Sequence, residues 1–62
     1  MRVLIRKIVK DYITNNGASA KSDLVNACIT AGAEADRTNN VIDKMITRGK
    51  LVESGGTYTV AA

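Results

Sequence analysis

Residues 31–60, AGAEADRTNNVIDKMITRGKLVESGGTYTV, change their hydrophobic period once, and that change decides the fold. From about Ala35 or Asp36 to Arg48 the apolar positions keep helical spacing: Thr38, Ile42, Met45 and Ile46 share one stripe, with Val41 at its edge. Arg48-Gly49 closes this helix. Beyond it, Lys50-Leu51-Val52-Glu53 and Thr57-Tyr58-Thr59-Val60 are short β-favouring runs. Ser54-Gly55-Gly56 between them reads as a hairpin turn. An isolated two-stranded hairpin is barely stable in water. It must lean on the helices, through Leu51, Tyr58 and Val60.

Working back towards the N-terminus, glycines punctuate the chain at Gly17 and Gly32, leaving two more helix-length segments. In the first, Met1 to about Thr14, the stripe is Met1, Leu4, Ile5, Ile8 and Tyr12, widened by Val9. Asn15-Asn16-Gly17 ends it, because Asn and Gly tolerate the left-handed C-terminal conformation. The second, about Ala20 to Ala31, carries Leu24, Ala27, Cys28 and Ala31, flanked by Val25 and Ile29, with Ser19 as its expected N-cap. The expected order is helix, helix, helix, strand, strand, in one domain spanning residues 1–62.

Composition excludes several function classes. The 62 residues contain no His and one Cys, so a four-ligand zinc site, a Ser-His-Asp or Cys-His centre and an internal disulfide are all ruled out. No metal and no cofactor is expected, and a reducing, cytoplasmic setting is the default for a chain with a single thiol. The longest apolar runs are three residues, such as Val3-Leu4-Ile5, far short of the roughly 20 that a membrane span requires. No signal-peptide pattern is expected either. A chain of this size buries only about 60% of its unfolded surface, which disfavours a large internal cavity for a small-molecule substrate. The acidic residues are scattered, with no pair placed to act as acid and base, so the chain reads as a binding module and not an enzyme.

The net charge is +3, and its distribution matters more than its sum. Arg2, Arg6, Lys7 and Lys10 against Asp11 make residues 1–15 the basic part of the chain. Residues 33–50 balance Arg37, Lys44, Arg48 and Lys50 against Glu34, Asp36 and Asp43 to a net +1, and the tail holds only Glu53.

The stretch from Ile8 to Val60, and above all YITNNGASAKSDLVNACITAGAEADRTNNVIDKMITRGKLVESGGTYTV, resembles a winged helix-turn-helix domain. Gly32 and Gly49 are separated as the glycines ending that family's second and third helices commonly are. Ile42 and Met45 fall where its recognition helix turns two apolar residues inward. Gly49-Lys50-Leu51-Val52 is similar to the turn into its first wing strand, and Gly56-Thr57-Tyr58-Thr59-Val60 to the returning strand. The resemblance implies a mostly α fold of three helices with a small β-hairpin, and a regulatory DNA-binding protein whose third helix enters the major groove. Two features depart from it. Glu34 stands where the family often has a Ser or Thr cap, so Asp36 is the expected cap, and the wing tip has no Arg or Lys.

At about 100° per residue, Asp36, Asn40, Asp43, Lys44 and Thr47 lie opposite the buried stripe of the third helix, with Arg37 at one edge. Asn40 is the best base reader, since an amide can bond adenine at N6 and N7 together. Asn39 lies nearer the core and reaches phosphate, while Arg37 and Lys44 hold phosphate or guanine, assisted by Thr57 on the wing. The plainer reading is a solvated helix face, which Asp36 and Asp43 neutralise. On the first helix Arg2, Arg6 and Lys10 recur every four residues, a ridge for phosphate or for an acidic protein partner, with Arg48 at the far end of the third helix. Here the solvated face is the stronger reading, because in this fold the first helix often lies away from the groove. Cys28 reads as a buried structural thiol, Tyr12 as a core residue, and Tyr58 as the plug that closes the hairpin onto the helices.

Val3, Ile13 and Val25 lie off the apolar stripes and raise the expectation of a homodimer. The alternative to DNA binding is a winged-helix shell used as a protein-interaction module, a phage-like or accessory inhibitor docking on a nucleic-acid-processing machine. The two readings divide on charge placement. A continuous band joining Arg2, Arg6 and Lys10 to Arg37, Lys44 and Arg48 favours DNA, whereas bands on opposite sides favour the protein partner.

Overall fold

The computed structural model describes residues 3–61; Met1, assigned above to the core stripe, and Arg2, assigned to phosphate, lie outside them. Three helices, α1 (Ile5–Asn16), α2 (Lys21–Thr30) and α3 (Ala35–Thr47), are accompanied by three short strands, β1 (Ser19–Ala20), β2 (Leu51–Ser54) and β3 (Thr57–Val60). The chain is mostly helical, with a small antiparallel sheet in the order β1-β3-β2.

The core is built from helical stripes at intervals of three and four residues. Ile5, Val9 and Ile13 of α1 meet Leu24 and Cys28 of α2 and Ile42 and Met45 of α3, and Leu51 of β2 closes one end. Thr38 is also fully buried, and its hydroxyl donates to the Glu34 carbonyl at 2.8 Å, so burial leaves its polar atom satisfied. The α1 stripe is displaced from the expected one. Leu4 is 58% exposed because it is the cap residue, with non-helical dihedrals (φ −95°, ψ 84°), and helical spacing does not apply to it. Ile13, expected off the stripe, is buried, and Ile8 and Tyr12 pack at the flank. Val3 and Val25 are likewise packed against the core. None of the three aliphatics that motivated a homodimer is therefore exposed.

The helix ends follow the glycines. After α3, the Gly49 N–H donates to the Ile46 carbonyl at 3.0 Å and the Lys50 N–H to the Met45 carbonyl at 2.7 Å, the paired bonds of a Schellman motif. Gly49 takes φ +73°, which a side chain would strain, although the space around it is open. The same pair of bonds ends α2, from Gly32 to Ile29 and from Ala33 to Cys28, both at 2.9 Å. The helix starts differ from expectation. Ala20 and Glu34 occupy the cap positions of α2 and α3 with no side-chain cap bond, and Asp36 stands inside the first turn of α3.

The expected strand order lacked β1. Ser19 and Ala20 pair antiparallel with Tyr58 and Thr57, which makes β3 the central strand. Ser19 is thus a buried strand residue and not an N-cap; its hydroxyl donates to the Gly17 carbonyl at 2.9 Å. The pairing ties the hairpin to the segment between α1 and α2. Tyr58, half-buried against the core, packs as the expected plug. The hairpin reverses through Gly55 and Gly56, both with positive φ, as a two-residue type I′ loop requires.

The displaced α1 stripe gives a direct stability test. Ile13→Ala removes a buried side chain and is expected to cost about 2–4 kcal/mol. Leu4→Ala at an exposed position should shift stability by no more than about 0.5 kcal/mol. Thermal melts followed by circular dichroism compare the two, and a larger loss for Leu4→Ala would contradict the core described here.

Candidate nucleic-acid interface

The packing of α1 on α3 creates the most distinctive surface of the molecule. Ile5 and Met45 are buried where the two helices meet, so the residues beside them come to the rim of the contact. An open groove of about 460 Å³ results, with Val3, Leu4, Val41 and Met45 among its apolar lining. Its charged lining consists of Arg6 from α1, Arg37 and Lys44 from α3, and Arg48 and Lys50 just beyond α3. Among the described residues, five cations line it and no carboxylate does. A second, smaller groove shares Arg6, Met45 and Lys50 with the first and continues along α1 to Lys7, Lys10 and Asp11. Asp11 is paired with Lys7 at 3.0 Å.

The two grooves therefore form one basic band. Among the described residues the ion pairs are Lys7–Asp11 and Lys21–Asp43, so Arg6, Lys10, Arg37, Lys44, Arg48 and Lys50 have no carboxylate partner there. Like charges gathered on one face repel and destabilise the compact state. The band contributes nothing to folding by ion pairing, and its accumulated positive potential is suited to an anionic ligand.

Helical geometry explains how a nearly neutral α3 carries one side of this band. With Thr38, Ile42 and Met45 inward, Arg37, Lys44 and Arg48 fall on one flank, beside Val41 and facing α1. Asp36 lies on the ridge between the flanks, beside Asn40 and Thr47, and Asp43 falls on the other flank. There the Lys21 ammonium at the start of α2 donates to the Asp43 carboxylate at 3.1 Å. The charges cancel in the sum but are separated in space.

The expected site residues divide accordingly. Arg6, Arg37, Lys44 and Arg48 come together in the first groove, and Lys10 lines the adjoining one. The first helix is thus next to the cations of α3 and not remote from them. Asn40 is exposed on the ridge between the two flanks, outside both grooves. Asn39 is half-buried, and its amide donates back to the Ala35 carbonyl at 3.0 Å. The Thr57 hydroxyl donates to the Ser54 carbonyl at 3.0 Å within the hairpin, and Thr57 also lines neither groove. Glu53 accepts from the Gly56 N–H at 3.0 Å, so the hairpin tip carries a carboxylate and no cation.

Lys50 was not among the expected site residues. It lies outside any helix, where periodicity gives no orientation. The Schellman motif fixes it by bonding its N–H to the Met45 carbonyl, and both residues then line the two grooves. The signal in the sequence was the Arg48-Gly49-Lys50 junction.

Among the described residues, no three His, Cys, Asp or Glu residues come together to hold a metal ion, and no helix is long and apolar enough to cross a membrane. Cys28 is fully buried, and desolvation pushes its thiol pKa above the ordinary value, which disfavours the nucleophilic thiolate. A thiol-directed chromogenic reagent at neutral pH should modify Cys28 slowly in the folded protein and at least about tenfold faster in denaturant, since burial restricts both ionisation and access. Equal rates would contradict a closed core at α2.

No family model, no curated protein and no solved structure matches this chain, so the geometry of the band is the basis on which its function is read.

Proposed function

We propose that the protein is a small DNA-binding module of the winged helix-turn-helix kind, regulatory and without catalytic activity, with α3 set at the major groove of the duplex. The observation that carries the reading is the continuous band of Arg6, Lys10, Arg37, Lys44, Arg48 and Lys50 across α1 and α3. Duplex DNA bears one negative charge per roughly 1.7 Å of axis, and a row of cations backed by a rigid helix pair is complementary to it. The order α1, β1, α2, α3, β2, β3, with β3 between β1 and β2, supports the winged-helix reading of the fold.

The hairpin supports a second reading, as a protein-interaction module. Val52 on β2 is half exposed, and the adjoining tip offers uncharged residues and Glu53 where a DNA-gripping wing offers cations. A single stoichiometric protein retained from nuclease-treated lysate, and lost on Val52→Asp, is the result expected of that reading.

Fluorescence anisotropy with a labelled random duplex of about 24 base pairs tests the DNA reading. If about five phosphates are neutralised, affinity should fall on the order of 10²–10³-fold between 50 and 200 mM salt. Lack of binding at tens of micromolar in low salt, or binding indifferent to salt, would contradict it.

A further inference from the structure

We infer that this protein holds the sugar–phosphate backbone of duplex DNA by the flank of α3 that faces α1, and therefore binds without regard to base sequence. The inference rests on the DNA-binding reading and goes beyond it, by specifying which face of α3 meets the duplex and what is read there.

On α3, Arg37 and Lys44, with Arg48 at the C-cap, occupy one flank, Asn40, Thr47 and Asp36 the ridge opposite the core, and Asp43 the far flank. A helix seated ridge-first in the major groove would present Asn40 to the bases. Asp36 and Asp43, four residues before and three after Asn40, are its neighbours on the helix surface. The same seating would carry both carboxylates towards phosphate and turn the α1 cations away. Rolling α3 towards α1 reverses both effects. Arg37, Lys44 and Arg48 then face phosphate over a rise of about 16 Å along the helix, and Arg6 and Lys50 join the same surface. The Asp43 flank turns outward, where Lys21 already pairs with Asp43 at 3.1 Å.

Side-chain commitments agree with this orientation. The Asn39 amide is bonded to its own helix and the Thr57 hydroxyl to its own turn. In the rolled position Asn40, the remaining amide of α3, points past the base edges. Lys and Arg on phosphates fix position but carry no sequence information. The band also lacks the aromatic platforms on which single strands stack: the two tyrosines, Tyr12 and Tyr58, are packed against the core. Double-stranded backbone is the ligand that suits these groups.

Anisotropy with two labelled duplexes of equal length and unrelated sequence, together with one single strand of that length, tests the inference on the whole chain. The wild-type protein should bind both duplexes within about threefold of each other and the single strand more weakly. Arg37→Ala, Lys44→Ala and Arg48→Ala should each weaken both duplexes equally, by roughly three- to tenfold, and lower the salt slope by about 0.9. Asn40→Ala should leave both affinities within about twofold. All four positions are exposed, and a circular-dichroism melt verifies that each variant remains folded. A tenfold loss on one duplex alone for Asn40→Ala would overturn the inference while leaving DNA binding intact, as would tighter binding to the single strand. A wild-type chain with no salt-sensitive binding would remove the DNA reading and the inference together.

Discussion

The contact between α1 and α3 is the constraint on which the basic surface depends. Burial of Ile5 and Met45 where the helices meet fixes which neighbouring side chains stand at the rim, and those side chains are cations on both helices. A small domain has little stability to spare, yet this one gathers positive charge on a single face, where among the described residues Asp11 is the one carboxylate and pairs with Lys7. Apolar packing must offset that repulsion. The core achieves it with aliphatic side chains at intervals of three and four residues, one thiol and one self-satisfied threonine, and without Phe or Trp.

The helix ends convert that packing into a continuous surface. Two glycines with the same hydrogen-bond pattern end α2 and α3, and the second one sets Lys50 beside Met45 before the chain enters β2. The short strand β1 holds the hairpin from the opposite edge of β3. The hairpin is thereby braced against the helices, while its tip remains small and carries Glu53 as its only charge. Positive potential is concentrated on the helical side of the molecule and is not shared with the hairpin tip.

Much of the fold was legible in the sequence, for identifiable reasons. Thr38, Ile42 and Met45 lie well inside a 13-residue helix, where periodicity reports burial directly, and Gly32 and Gly49 mark chain reversals. Leu4 was misread because it precedes the helix, so that its side chain does not follow the stripe, and the shift moved Ile13 to the wrong side. Ser19 was misread as a cap because a two-residue strand has no alternation to detect; only the long-range pairing with Tyr58 defines it. The candidate site was legible in most of its cations, Lys50 excepted, and not in their grouping. Arg6, Lys10, Arg37, Lys44 and Arg48 all stand out as cations. Their convergence depends on how α1 packs against α3, and adding the charges of α3 conceals that its cations and carboxylates stand apart on the helix surface.

A titration of the ¹⁵N-labelled protein with an unlabelled random duplex, followed by two-dimensional amide spectra, addresses the central claim most directly. The account predicts that shift changes gather on the N-terminal half of α1, on Arg37, Lys44 and Arg48 along α3 and at Lys50, and that Ser54–Thr57 of the hairpin stays unperturbed. Changes concentrated on the hairpin tip and on Asn40, with the α1 amides unmoved, would contradict it.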